Sequence, residues 1–277
     1  MAKQFFKYVA DKSAMLNTIQ GKLKFATIES LNDPMEFVAD SDAADFQQSI
    51  NTLLENGVGQ EHLEALQLQQ NILDQIAPDL RTFDAPNSVE ELRTAINDRI
   101  AIYENSDLML AYLNQVLAAF KSKLGIFCVS TRSDCLPMWA FYADNARGFQ
   151  VEISDLPMAM ADRCDAVLIQ PTAVHYATPR PLVNFDPCTA WNIFLSKLED
   201  WSYEAEWRAV ADLSQCEKGQ DQLHLLSIDP NVIKAVTLGW LCTVDDILLK
   251  EIREANPNIA IYKCEDPAHG YRTTELR

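Results

Sequence analysis

Short apolar stretches bounded by turn-forming residues mark both ends of the chain, and this pattern is typical of β-strands. The stretch QFFKYV (4–9) is followed by a helix-like segment and then by a second apolar stretch within 21–37. Gly21 stands where that helix would end, and Asn-Asp-Pro at 32–34 predicts a turn. The start of the chain therefore predicts a strand, a helix and a second strand.

From about residue 41 to 123 the apolar residues recur at spacings of three and four, as at Leu63 and Leu66. This spacing predicts helices. Their expected bounds are 42–55, 60–77, 88–104 and 107–122. Pro78 and Pro86 separate the second helix from the third because proline does not fit a helix interior. We interpret the block as a helical insertion.

Strand patterns return after the insertion, beginning with LGIFCVSTRSD (124–134), a strongly apolar strand that ends in hydroxyl groups. Pro137 suits the first position of a short helix at 138–143, and the corner 145–148 leads into a strand at 149–153. Further strands are predicted in AVLIQPTAVHY, EWRAVADL, LHLLSI, AVTLGWL and IAIYKC, with a helix at about 244–255 between the last two.

These elements predict an α+β fold, with a curved mixed β-sheet that holds the terminal thirds of the chain. We expect residues 1–277 to form a single domain with a helical insertion at about 41–123. A hydrophobic content of 48% over 277 residues is enough for a substantial core.

The composition is acidic, with 23 Lys and Arg against 40 Asp and Glu and a formal net charge of -17. Non-specific binding to nucleic acid is therefore not expected. The N-terminus lacks the apolar stretch of a signal peptide, and no run approaches the roughly 18 apolar residues of a membrane span. We expect a cytoplasmic protein with no membrane contact. The seven cysteines are scattered without a CxxC pair, so we expect reduced thiols.

Candidate chemistry concentrates in WSYEAEWRAV (201–210). A strand from Tyr203 onward would place Tyr203, Ala205, Trp207 and Ala209 on one face, and Glu204, Glu206 and Arg208 on the other. Two interpretations stay open. In the first, Glu206 and Arg208 form a structural ion pair at the rim of the sheet while the aromatic residues pack. In the second, a glutamate held among aromatics orients a ribose hydroxyl or stabilises developing positive charge.

Two further groups of residues carry similar alternatives. Ser130, Thr131 and Ser133 follow a buried strand, where their hydroxyls serve either the local backbone or a ligand's ribose and phosphate. Trp139 and Tyr142 lie with Phe141 on the short helix, where they plug the core or wall a pocket for a flat ring. No metal-ligand spacing, phosphate loop or GxGxxG occurs. We therefore expect no metal.

Four motifs resemble the bacterial family called domain of unknown function 2971. They read FFKYV, LKFATIESLNDPMEF, FCVSTRSDCLPMWAFYADNARGFQVEI and WSYEAEWRAV, in that order along nearly the whole chain. The chain departs from the family at Val9, where many members have arginine, and in its longer helical insertion. The resemblance implies a compact α+β fold and a link to bacterial defence.

The order of motifs also resembles that of mono-ADP-ribosyltransferases, which carry an arginine or histidine on the first strand, then a serine-rich strand, then an E-x-E strand. Here FCVSTRS (127–133) and Glu-Ala-Glu follow in the same order. By this resemblance Ser130 and Thr131 position the nicotinamide ribose, Glu206 binds its 2-hydroxyl and supports the oxocarbenium-like transition state, and Glu204 activates the acceptor.

Lys7 or Tyr8 would stand in for the first-strand arginine or histidine, although lysine lacks the forked guanidinium. Together with the residues of the other motifs, the predicted cofactor-binding residues are Lys7, Tyr8, Ser130, Thr131, Trp139, Tyr142 and Arg208. NAD would be a substrate, and the implied fold is ADP-ribosyltransferase-like.

The sequence thus predicts an NAD-dependent ADP-ribosyltransferase-like protein, a component of bacterial defence or a toxin. The alternative is a non-catalytic binding or sensor module of a defence system. In that case the acidic helices at 42–104 would meet a basic protein partner, although an excess of charge is also typical of a solvated face.

Overall fold

The chain folds into two compact units. The computed structural model describes residues 3–33, 51–53, 55–80, 86–103, 106–163, 165–178, 192–219, 222–265, 267 and 271–276. The sheet unit comprises Met1–Ala26, Gly125–Val174 and Glu199–Arg277, and the helical unit comprises Thr27–Leu124 and His175–Leu198. The helical unit thus contains the predicted insertion together with a later segment that the sequence pattern did not assign to it. The prediction of a single domain over 1–277 stays a prediction.

The predicted α+β class with a large mixed sheet is confirmed. The strands of the main sheet are β1 (Gln4–Val9), β2 (Lys22–Thr27), β3 (Leu124–Ser130), β4 (Phe149–Ser154) and β5 (Val167–Ala173), followed after a separate pair by β8 (Glu206–Asp212), β9 (Glu217–Lys218), β10 (His224–Ser227), β11 (Ile233–Leu238), β12 (Ala260–Cys264) and β13 (Thr273–Glu275). The separate pair is β6 (His175–Ala177) with β7 (Ser196–Leu198), which run parallel.

The order of strands in the main sheet is β13-β12-β11-β4-β1-β3-β2-β10-β9, and β8 pairs with both β3 and β5. β1 lies antiparallel to β4 along its whole length, from Gln4 opposite Ser154 to Val9 opposite Phe149. β11 and β12 are parallel, which makes the sheet mixed. The first strand of the chain is therefore central in the sheet.

The helices of the sheet unit are α1 (Lys12–Ile19), α5 (Leu136–Tyr142), α6 (Leu156–Ala161) and α8 (Asp246–Ala255). Asp11 caps α1, because its carboxylate accepts a hydrogen bond from the backbone N–H of Ala14 at 2.8 Å. Gly21 follows α1 with a φ of 80°, and a Cβ there would lie 2.5 Å from the Ile228 carbonyl oxygen. The predicted end of the first helix is confirmed.

Two apolar clusters flank the strands of the sheet unit. The larger contains Phe5 and Val9 of β1 with the buried residues of α1, α6 and α8, such as Met15 and Ile252. The smaller contains Phe6 and Tyr8 of β1 with Cys135, Met138, Trp139, Ala143 and Ala146 around α5. Because side chains alternate along a strand, β1 contributes to both clusters.

The helical unit contains α2 (Gln60–Ile76), α3 (Val89–Tyr103), α4 (Ser106–Lys123) and α7 (Asn192–Leu195). The predictions at 60–77, 88–104 and 107–122 are confirmed by the first three, whereas most of the predicted helix at 42–55 lies outside the described residues. A small cluster of Leu53, Val58, Leu63 and Leu92 forms a core within this unit. Across the part of the chain that the structure describes, no helix combines the length and apolarity needed to cross a membrane.

Candidate active site

The strands that carry the three sequence motifs meet near the end of β3. Phe6 of β1 is paired with Ser130, the last residue of β3. β8 also pairs with β3, and the backbone N–H of Thr131 donates to the carbonyl oxygen of Ala205 at 3.1 Å. The topology therefore brings the first strand, the hydroxyl motif and the Glu-x-Glu motif to one place.

The prediction of a strand from Tyr203 onward is wrong. Glu199–Glu204 form a 3-10 turn, Ala205 has a φ of 42°, and β8 begins at Glu206. A non-glycine residue in the left-handed region is strained, and this break in extension takes Glu204 out of the alternating row. Glu206 and Arg208 still share one face of β8.

Successive carbonyls of this turn are held by residues at the end of β3 and just after it. The hydroxyl of Ser130 donates to the Glu204 carbonyl oxygen at 2.6 Å, and the thiol of Cys135 donates to that of Tyr203 at 3.5 Å. The hydroxyl of Thr131 lies 3.3 Å from the Ala205 carbonyl oxygen that its own N–H also contacts. These bonds explain how the unusual φ of Ala205 is maintained.

Ser130 is fully buried, and its oxygen also accepts a hydrogen bond from the N–H of Arg132 at 2.9 Å. Both bonds are made with backbone groups. Ser130 therefore serves the backbone, which is one of the two roles that the sequence predicts for its hydroxyl. Thr131 is partly exposed at the edge of the same turn.

Glu206 and Arg208 form a buried ion pair. Oε2 of Glu206 lies 2.8 Å from Nη2 of Arg208, and their side chains are 8% and 1% exposed. Removing two charges from water carries a desolvation penalty of several kcal/mol per ion, which the pair offsets only with good geometry and further polar contacts. This is the ion pair that one interpretation of the sequence proposed, placed in the interior instead of at a solvated rim.

Lys7 and Cys128 lie beside this pair. The ammonium of Lys7 donates to the Cys128 carbonyl oxygen at 2.8 Å and lies 5.0 Å from the ring centroid of Phe127. Burial lowers the pKa of Lys7, while the Glu206 carboxylate acts to raise it. Burial and Glu206 raise the pKa of the Cys128 thiol, and Arg208 opposes them.

Glu204 has a different partner from Glu206. Its side chain accepts a hydrogen bond at Oε1 from the hydroxyl of Tyr142, with a separation of 2.5 Å. Glu204 is 2% exposed, whereas Tyr142, the last residue of α5, is partly exposed. The two glutamates therefore occupy separate environments, one beside a guanidinium and one beside a phenol.

The aromatic residues of α5 pack against β1. Trp139 is fully buried, and its ring meets that of Tyr8 edge to face at 5.3 Å and that of Trp240 at 5.8 Å. The hydroxyl of Tyr8 donates to the Arg132 carbonyl oxygen at 2.9 Å, and burial raises its pKa. Trp139 thus packs in the core, as one of the two interpretations of this helix predicts. Tyr142, on the same helix, instead contacts the turn that contains Glu204.

The predicted site residues lie in one region around the end of β3, and Trp139 packs against one of them, Tyr8. The others are Lys7, Ser130, Thr131, Tyr142, Glu204, Glu206 and Arg208. Their roles toward NAD stay predictions. Sequence reasoning missed Cys128 and Trp240. The two-residue period of β3 places Cys128 on the same face as Ser130 and was a usable signal. Trp240 comes from a distant segment and had none.

Among the described residues no group of three or more His, Cys, Asp or Glu side chains is arranged to hold a metal ion. No protein-family model, curated protein or solved structure matches this chain. The two resemblances drawn from the sequence therefore stay predictions.

Proposed function

We propose that this chain is an NAD-consuming enzyme of the ADP-ribosyltransferase type. The observation that carries the proposal is the meeting of β1, β3 and β8 at Ser130, which places two buried glutamates beside the hydroxyl motif. This is the relation between elements that the resemblance to mono-ADP-ribosyltransferases implies. An enzyme that consumes NAD also fits the cytoplasmic location that the sequence predicts.

The charges in this region support a site of chemistry. Glu206 and Arg208 are buried ionisable groups at the start of β8, and the partly exposed Lys7 interacts electrostatically with Glu206. A buried ion pair is often no more stabilising than apolar residues of the same size, so packing alone gives little reason for it. Ionisable groups perturbed by burial and by specific neighbours are concentrated at functional sites.

Glu206 has the properties required for the glutamate in the proposed reaction. Cleavage of the nicotinamide–ribose bond develops positive charge on the ribose, and a fixed carboxylate in a water-poor site stabilises such charge strongly. Before NAD binds, the guanidinium of Arg208 holds the carboxylate of Glu206 at 2.8 Å. A ligand that brings its own anionic pyrophosphate offers this guanidinium another partner. NAD would therefore enter by separating the ion pair.

Release of nicotinamide tests the proposal. Purified protein is incubated with NAD, and free nicotinamide is measured for wild type, Glu206→Gln and Glu254→Gln. Glu254 is an exposed carboxylate of α8 paired with Lys250, so it is a matched control. We expect release by wild type and by Glu254→Gln, and a loss of at least about 100-fold in Glu206→Gln, in the range found when one group that stabilises transition-state charge is removed.

Unfolding curves of each variant establish that the fold is intact. Absence of release by folded wild-type protein, with and without added candidate acceptors, would contradict the proposal. Equal release by wild type and Glu206→Gln would remove Glu206 from the reaction.

A second candidate is a non-catalytic binding module. It is favoured because the polar side chains of the site bond to other groups of the protein. Ser130 and Thr131 bond to backbone carbonyls, and Glu206 is paired with Arg208. The helical unit also contains 18 Asp and Glu against 7 Lys and Arg, which suits a basic protein partner. This candidate predicts that Glu206→Gln alters stability without any turnover of NAD in wild type.

A further inference from the structure

We propose that Tyr142 is a catalytic residue, whose hydroxyl takes the proton of the acceptor and relays its own proton to Glu204. The inference rests on the proposed function and deepens it. It differs from the role that the sequence predicts for Tyr142, which is to wall a pocket for a flat ring.

The carboxylate of Glu204 is already engaged by Tyr142. Glu204 is 2% exposed and its Oε1 accepts the Tyr142 hydroxyl, so the phenol is the partner in this contact that has more exposed surface. Tyr142 is partly exposed, and its hydroxyl lies 2.5 Å from Oε1 of Glu204. An acceptor that needs a base at this place would therefore contact the phenol, and the carboxylate would act through it.

Both ends of the Tyr142–Glu204 contact are fixed by the fold. Ser130 holds the carbonyl of Glu204 at 2.6 Å, so the backbone and the side chain of this residue are both fastened. Tyr142 ends a helix whose Trp139 is locked in the core, 5.3 Å from Tyr8. Cys135, immediately before that helix, bonds to the Tyr203 carbonyl at 3.5 Å. The helix and the glutamate turn are therefore joined as one piece, as proton transfer over a short distance requires.

The transfer forms one bond, breaks one bond and moves two protons. A lone pair on the acceptor oxygen or nitrogen forms the new bond to the ribose carbon while the bond from that carbon to nicotinamide breaks. The bonding electrons leave with nicotinamide, which departs neutral. The acceptor's proton passes to the oxygen of Tyr142 as the phenolic proton passes to Glu204, which later releases it to water.

The test uses water as the acceptor and compares Tyr142→Phe with wild type for nicotinamide release. Phenylalanine keeps the ring and removes only the hydroxyl. We expect kcat to fall by about 100-fold with KM for NAD within about two-fold, because general acid–base catalysis typically contributes factors of this size. Tyr262→Phe on β12 is the matched control, since this tyrosine lies on a strand remote from β3 in the sheet order.

Two further readouts separate catalysis from structure. Glu204→Gln keeps a hydrogen-bond acceptor but no base, so its kcat should fall similarly. The double variant should fall no further than either single variant, because both groups act in one step.

An unchanged kcat in folded Tyr142→Phe would overturn the inference and leave the proposed function standing. A raised KM with unchanged kcat would also overturn it, because that result indicates a binding role. If wild type releases no nicotinamide, the proposed function fails, and the inference fails with it.

Discussion

The two faces of β3 and β8 differ in chemical character where the end of β3 meets the start of β8. Phe127 and Val129 of β3 and Ala209 and Ala211 of β8 all belong to the large apolar cluster. One residue away along the same strands, the opposite face contains Cys128, Ser130, Glu206 and Arg208. The strands and their backbone hydrogen bonds are shared, so the difference comes from side chains alone.

This difference shows that burial by itself does not explain why one face carries polar and charged side chains. The apolar face shows that these strands form a dry core readily, at about 25 cal/mol for each Å² of apolar surface removed from water. Charges at equal depth on the other face need partners to compensate for lost hydration. We therefore expect substitutions on the two faces to differ in kind.

The largest effect is expected when the ion pair is broken on one side. Arg208→Met leaves the Glu206 carboxylate buried without its guanidinium, which should lower the free energy of unfolding by about 3 to 5 kcal/mol. Urea unfolding monitored by tryptophan fluorescence measures this.

The matched control is the double variant Glu206→Leu with Arg208→Met, which makes the polar face resemble the apolar one. It should recover most of the lost stability, because an apolar pair of similar volume is often as stable as a buried ion pair. A double variant as unstable as Arg208→Met would mean that the pair is needed for the fold.

A smaller effect is expected at the hydroxyl that fastens the turn. Ser130→Ala leaves the Glu204 carbonyl and the Arg132 N–H each short of one hydrogen bond, for a loss of about 1 to 3 kcal/mol. Ser122→Ala, an exposed helical serine that bonds to the Ala119 carbonyl, should change the free energy of unfolding by less than about 0.5 kcal/mol. Equal losses in the two variants would contradict the fastening role.

The smallest effect is a dependence of stability on pH to which Cys128 on the polar face contributes. Burial raises the pKa of Cys128 above its ordinary 9.0, so above pH 9 the unfolded chain loses this proton while the folded chain keeps it. Stability should therefore fall as pH rises, by at most about 1.4 kcal/mol per pH unit for this one group.

Cys128→Ala should flatten that fall, whereas Val129→Ala, its neighbour on the apolar face, should lower stability equally at pH 8 and pH 10.5. The lowered pKa of Lys7 acts in the opposite direction, and comparison of each variant with wild type at both pH values separates the thiol from it. A slope unchanged in Cys128→Ala would show that the thiol titrates normally.

Most of the fold follows from local patterns in the sequence. The helix ended by Gly21 and the proline-started α5 could be predicted because each has a short-range cause, namely a positive φ at Gly21 and a proline in the first turn at Pro137. The pairing of β6 with β7 could not be predicted, because the residues of neither strand indicate which other strand it pairs with.

The sequence predicted which residues belong to the site better than it predicted how they are arranged. Alternation placed Glu206 and Arg208 on one face, but it failed at Glu204, because Ala205 takes a left-handed conformation. No local rule forces that φ. This conformation is held by hydrogen bonds from Ser130 and Thr131, about 74 positions away along the chain. Hydrogen bonds between such distant residues produce no periodic pattern in the sequence.

The most direct test of the account is the structure of the Glu206→Gln variant with NAD bound. The account predicts the nicotinamide ribose at the end of β3, with its 2-hydroxyl within hydrogen-bond distance of residue 206 and the Tyr142 hydroxyl facing the side opposite nicotinamide. NAD bound elsewhere, or no NAD bound at saturating concentration with residue 206 still against Arg208, would contradict it.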